Sequence, residues 1–105
     1  MTFVIDIDNT ILYSKKETCK ECDRVRYVLE YVDEEEINLI NKAYEKGHVI
    51  ILHTGRNWDC YKITVVQLES AGVKYHQLIM GKPQGIYIDK DAKTSLMEVF
   101  KSGQI

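Results

Sequence analysis

Two periodicities alternate along this chain, and that alternation limits the folds open to it. Apolar, β-rich runs at residues 3–7, 49–52, 75–80 and 85–89 read as strands. The first two carry apolar residues on both alternating faces, the pattern of a strand buried on both sides. Helical spacing fills much of the sequence between them. Asp33 is placed to cap a helix, with Glu36 three residues on and acids in the first turn. Ile37, Ile40 and Tyr44, with Ala43 beside them, form its apolar stripe, and Gly47 ends it. A second helix carries Tyr61, Val65 and Leu68 on one face, with Asn57 or Asp59 as its cap and Gly72 as its stop. Ser95 and Glu98 form a capping box for a short last helix bearing Leu96, Val99 and Phe100. Strands alternating with such helices mean βαβ units, hence an α/β domain with a mainly parallel sheet. Residues 13–32 break the pattern. Val25 and Tyr27 alternate there with Arg24 and Arg26, which fits a small hairpin or flap.

At 105 residues the chain has room for one compact core, so residues 1–105 read as a single domain. A net charge of −2 argues against a dedicated nucleic-acid module, which needs a basic excess. The longest unbroken apolar stretch, residues 49–52, falls far short of a membrane span. The opening residues lack the basic flank and apolar centre of a signal peptide, and three cysteines make a poor disulfide framework. A cytoplasmic protein without a membrane partner is the expectation.

In open parallel sheets, ligands bind beyond the carboxyl ends of the strands, and polar residues collect at those ends here. Asp6 and Asp8 end the first run. Two carboxylates there repel each other, and a cation or a shared proton relieves them. The segment Asp6-Ile7-Asp8-Asn9-Thr10 also fits an ordinary turn-rich loop. Thr54-Gly55-Arg56 follows the second run, and its hydroxyl, flexible backbone and guanidinium suit an anion such as phosphate. Thr-Gly is equally a common strand-to-loop transition. Gly81-Lys82-Pro83 and Asp89-Lys90-Asp91 follow the third and fourth runs, and each alone reads as a polar turn.

Their order carries more than any one of them. Acidic pair, threonine, lysine and acid, each after its own apolar run, resembles the motif series of the haloacid dehalogenase (HAD) superfamily of phosphotransferases, over roughly residues 3–100. A closer likeness is to small capless phosphatase-like proteins of capsular polysaccharide and sugar-phosphate biosynthesis. It rests on Phe3-Val4-Ile5-Asp6-Ile7-Asp8, on Gly47-His48-Val49-Ile50-Ile51-Leu52-His53-Thr54-Gly55-Arg56, and on Gly72-Val73-Lys74-Tyr75-His76-Gln77-Leu78-Ile79-Met80-Gly81-Lys82-Pro83. Gly85-Ile86-Tyr87-Ile88-Asp89 extends it.

The resemblance implies a HAD-like Rossmannoid three-layer fold, with its parallel sheet in the order 4-1-2-3 and a minimal flap at about 13–32. It implies a Mg²⁺-dependent phosphatase acting on a small phosphorylated metabolite such as a sugar phosphate. Asp6 would be the nucleophile and Asp8 the general acid and base. Thr54 would hold a phosphoryl oxygen, with Gly55 and Arg56 beside it as substrate-binding residues, and Lys82 would offset charge. Asp6, Asp8 through its carbonyl, and Asp89 would hold Mg²⁺. So short a flap leaves the pocket open unless a partner subunit covers it, which keeps a homo-oligomer in view.

Two positions depart from the family pattern. Asn9 stands where the family often has glycine, and asparagine tolerates unusual backbone angles. Lys90 stands where a second acid usually follows the residue matched by Asp89; Asp91 is a candidate replacement through a shifted loop. A weakened metal site would make the chain a phosphate- or metal-binding regulatory protein. A polynucleotide 3′-phosphatase shares the motifs, but the acidic net charge counts against it. Cys19 and Cys22 make half a zinc site, set against two reduced surface thiols. His53 reads as a strand-end packing residue, set against a catalyst; Trp58 and Tyr61 read as packing at the start of the second helix, set against substrate contact.

Overall fold

The computed structural model describes residues 1–22 and 24–82. The run at 85–89, the helix expected from Ser95, and Asp89, Lys90 and Asp91 lie outside the described residues. The elements in chain order are β1 (Thr2–Asp6), β2 (Leu12–Thr18), β3 (Val25–Val32), α1 (Glu34–Glu45), β4 (Val49–His53), a 3-10 turn (Trp58–Cys60), α2 (Tyr61–Ala71) and β5 (Gln77–Ile79). Three strands form a parallel sheet in the order β1-β4-β5, with Phe3 opposite Ile50, Ile5 opposite Leu52, and Leu52 opposite Leu78. The described residues form an α/β fold with a mainly parallel sheet and two helices. No helix among them is long and apolar enough to cross a membrane.

Helix α1 begins and ends as its sequence dictates. The Asp33 carboxylate accepts from the Glu36 N–H at 3.0 Å. Gly47 adopts φ 89°, which lets the His48 N–H reach back to the Ala43 carbonyl at 3.1 Å. Ile37, Ile40 and Ala43 turn inward against Phe3, Ile5, Ile50 and Leu52.

The expectation of strands buried on both faces holds for one face only. The chain steps from β1 to β4 to β5 in one direction across the sheet, so right-handed connections place α1 and α2 on the same side. Val4, on the opposite side, is 60% exposed, and Val49 and Ile79 are exposed with it. The third strand is also shorter than residues 75–80. At its start the His76 side chain stands in for a strand contact: its Nδ1 accepts from the Ile50 N–H at 3.0 Å, while its own backbone N–H donates to the Ile50 carbonyl at 2.9 Å.

Residues 13–32 lie almost wholly in an antiparallel hairpin of β2 and β3, with an irregularity between Tyr13 and Ser14. Tyr13 and Tyr31 stack across it at 4.5 Å between ring centroids.

Helix α2 presents a different face from the one its apolar spacing suggests. Thr64, Gln67 and Leu68 are buried, whereas Tyr61 is exposed and Val65 only half-buried. Neither Asn57 nor Asp59 caps it: Cys60 occupies the cap position, and no side chain makes a cap hydrogen bond. The 3-10 turn ahead of the helix displaces its start, and Gly72 closes it in the left-handed conformation at φ 75°.

Candidate active site

Because β1, β4 and β5 run parallel, Asp6, His53 and Ile79 end them at one edge, in register with one another. Beyond Asp6 the chain turns sharply. The Ile7 carbonyl accepts from the N–H groups of Thr10, Ile11 and Leu12 at 3.2, 3.0 and 3.1 Å, with Asn9 at φ 62°. Asparagine tolerates this left-handed conformation better than most side chains. The turn leaves Asp8 facing the loop after β4. Two backbone hydrogen bonds lace that loop to the end of β5: Lys82 N–H to the Thr54 carbonyl at 2.9 Å, and Gly81 N–H to the Arg56 carbonyl at 2.8 Å. Asp6, Asp8, Thr54, Gly55, Arg56 and Lys82 therefore gather from three separate segments.

Asp8 is the most heavily engaged of them. Its Oδ2 accepts from the Thr54 hydroxyl at 2.7 Å. Its Oδ1 accepts from Arg56 Nη2 at 2.9 Å and Nε at 3.1 Å, and Nε also lies 3.3 Å from Oδ2. The rest of the Arg56 guanidinium is equally committed. Nη1 donates to Thr64 Oγ1 at 3.1 Å and Gln67 Oε1 at 2.7 Å, and Nη2 donates to Ser14 Oγ at 3.2 Å. The Tyr27 ring lies flat against it, 4.2 Å from the guanidinium carbon to the ring centroid.

A guanidinium has five N–H groups, and all five are taken. The sequence pattern sets Arg56 beside an anion, but its side chain is fully buried and keeps no donor for a phosphate. Burial is the reason: a desolvated cation is tolerable only with every donor satisfied. Ser14, Tyr27, Thr64 and Gln67 thus enter the site through Arg56. Motif order could not point to them. The available signal was helical spacing, since Cys60, Thr64 and Gln67 fall on one face of the turn and helix that follow. That face is polar because Arg56 lies against it.

His53 does not simply pack. It is half-buried between unlike charges, and its imidazole titrates below the ordinary histidine value. Burial is the main cause; the Lys82 ammonium adds to it and the Asp6 carboxylate opposes it. Lys82 and Asp6 thus both act on the same imidazole. Trp58 and Tyr61 also depart from expectation, being exposed rather than packed.

Cys19 and Cys22 lie exposed near the hairpin tip, and Cys60 is buried with its thiol 3.7 Å from the Val25 carbonyl. Hydrogen bonding from the Cys22 side chain, with the N–H groups of Cys22 and Glu21, pulls the Cys19 thiol below its usual pKa. Among the described residues no group of three or more His, Cys, Asp or Glu is placed to hold a metal ion. Zinc sites are commonly built from four such ligands. Magnesium asks for less. One or two carboxylates, a substrate phosphate and water suffice, and Asp6 with the Asp8 carbonyl supplies hard oxygen donors of that kind.

No family model matches the chain, and no curated protein matches it. Among solved structures, a structural-genomics target from Vibrio cholerae matches with a TM-score of 0.61 over 97% of this chain and 98% of that one, at 19% identity. At that identity the likeness concerns the fold alone, and it extends along nearly the whole of both chains.

Proposed function

We propose that this chain is a Mg²⁺-dependent phosphatase of the haloacid dehalogenase type, acting on a small phosphorylated metabolite, with sugar phosphates foremost. One observation carries the reading: Asp6, Asp8, Thr54 and Lys82, spread over more than seventy positions, converge on one sheet edge. A parallel sheet brings its strand ends together whatever follows them; the support for the reading is that these ends carry two carboxylates, a hydroxyl and an ammonium.

In this mechanism an Asp6 oxygen attacks phosphorus as the bond to the leaving oxygen breaks, giving an aspartyl-phosphate. Asp8 gives a proton to the leaving oxygen, then takes one from the water that cleaves the acyl phosphate. Thr54 holds a phosphoryl oxygen, for which its hydroxyl must turn away from Asp8. Lys82 balances the negative charge. Arg56 does not touch the substrate; it positions Asp8. Asp6 and the Asp8 carbonyl would hold Mg²⁺, with Asp89 assigned to the same task by resemblance. Bound there, the ion would neutralise charge on the phosphate and orient it for in-line attack.

The full engagement of Asp8 by Thr54 and Arg56 favours a second reading, a phosphate- or metal-binding regulatory protein with weak catalysis. A panel of phosphorylated metabolites, assayed for phosphate release with and without Mg²⁺, separates the two. Turnover that requires Mg²⁺ supports the enzyme; binding without turnover supports the regulator.

A further inference from the structure

Trp58 and Tyr61 stand beside the gathered residues, yet the proposed chemistry uses neither and the core buries neither. Trp58 is 62% exposed and Tyr61 is 44% exposed, with ring centroids 5.9 Å apart and planes inclined by 32°. Trp58 opens the 3-10 turn and Tyr61 opens α2, so a short, constrained piece of chain carries both rings. The indole is not adrift. A Cβ built on Gly81 would sit 3.7 Å from its Cδ1 and Nε1, so the edge of the ring lies beside Gly81 with room for a methyl group between them. Gly81 adopts φ 71° and directly precedes Lys82, whose N–H is bonded to Thr54. The indole thereby lies one residue from the proposed phosphate ligand Lys82.

Two large aromatic rings left in water forgo burial that would favour folding. Their place at the rim gives that exposure a use. We infer that Trp58 and Tyr61 form a shelf for the non-phosphate part of the substrate, and that this part is a ring with a flat C–H face, as in a hexopyranose phosphate. The inference rests on the phosphatase reading and adds the part of the substrate that chemistry at phosphorus leaves open. The electron-rich face of an indole attracts the positively polarised C–H groups of a pyranose, while the sugar hydroxyls stay in water. A three-carbon leaving group has no such face. This remote contact persists unchanged from bound substrate to transition state, so it adds to affinity.

Trp58 is the chain's one tryptophan, so its emission reports on the shelf alone. Asp6→Asn protein with Mg²⁺ is titrated with glucose 6-phosphate, glycerol 3-phosphate and adenosine monophosphate. A saturable emission change with glucose 6-phosphate and none with glycerol 3-phosphate, at the same concentrations, is expected. No change with glucose 6-phosphate overturns the shelf; a tighter response to adenosine monophosphate overturns the sugar class. In turnover by the full chain, Trp58→Ala should lower the kcat/KM preference for glucose 6-phosphate over glycerol 3-phosphate about tenfold, mainly through KM. Trp58→Phe should restore most of it. An unaltered preference in Trp58→Ala overturns the shelf. Turnover of neither compound by the unsubstituted chain counts against the phosphatase reading instead, and the emission titration still decides the shelf.

Discussion

Arg56 holds Asp8 by two of its nitrogens, Nη2 at 2.9 Å and Nε at 3.1 Å from the same carboxylate oxygen, while its far side is fixed to α2 and the hairpin. The side chain of Arg56 is fully buried in this pair and that of Asp8 is 30% exposed. The position of Asp8 therefore depends on elements distant from it in sequence. Arg56→Ala strands Asp8 and leaves Thr64 and Gln67 short of a partner. It should destabilise the fold by about 2–4 kcal/mol, at or below the usual cost of breaking a buried pair because water reaches Asp8. Arg56→Lys should recover only part of this, since an ammonium brings three donors to a place that uses five. Urea unfolding of both variants measures the difference.

Thr54→Val keeps the shape of a fully buried side chain and removes the hydroxyl bonded to Asp8. Phosphate release from an activated aryl phosphate should fall by about 10²-fold. Thr54→Ser should stay within about tenfold of the natural chain. Steady-state rates for the two variants give the comparison.

Glu36 sits in the first turn of α1, where burial, then Asp33 and Glu35, raise its carboxyl above the ordinary value. The folded state therefore binds the Glu36 proton more tightly than the unfolded state does. Its contribution is intact below the unfolded pKa and is lost as pH rises through the folded one. Glu36→Gln should be more stable than the natural chain at pH 7, by less than about 1 kcal/mol given its partial exposure. The gain should vanish near pH 4. Thermal unfolding across that range tests the sign.

Cys19 should react first with iodoacetamide, since its thiol is exposed and lowered, and Cys60 should react last because it is buried. Peptide mapping after brief alkylation gives the order. Metal analysis of protein purified without added zinc should find none in stoichiometric amount.

Much of this architecture is legible in the sequence because local chemistry fixes it. Asp33 and Gly47 bound α1 through hydrogen bonds within a few residues of each other, and the apolar run at 49–52 marks β4. The residues Asp6, Asp8, Thr54 and Lys82 are legible by their order after those runs. What the sequence hides is set at long range. The buried face of α2 is turned toward Thr64 and Gln67 because Arg56 needs their oxygens, and no apolar period records that demand. Trp58 and Tyr61 read as packing residues because aromatic rings usually bury, yet a place on the rim leaves them in water. Val4 reads as buried because it belongs to an apolar run; its exposure follows from both described helices lying on the opposite side of the sheet.

Phosphate release by the natural chain and by Asp6→Asn, with Mg²⁺ and with chelator, tests the central claim most directly. An amide at position 6 cannot attack phosphorus, and the half-exposed strand end should accept it without loss of fold. The account predicts turnover by the natural chain only with Mg²⁺, and none by Asp6→Asn at an unchanged unfolding midpoint. Undiminished release by the folded Asp6→Asn protein would contradict it.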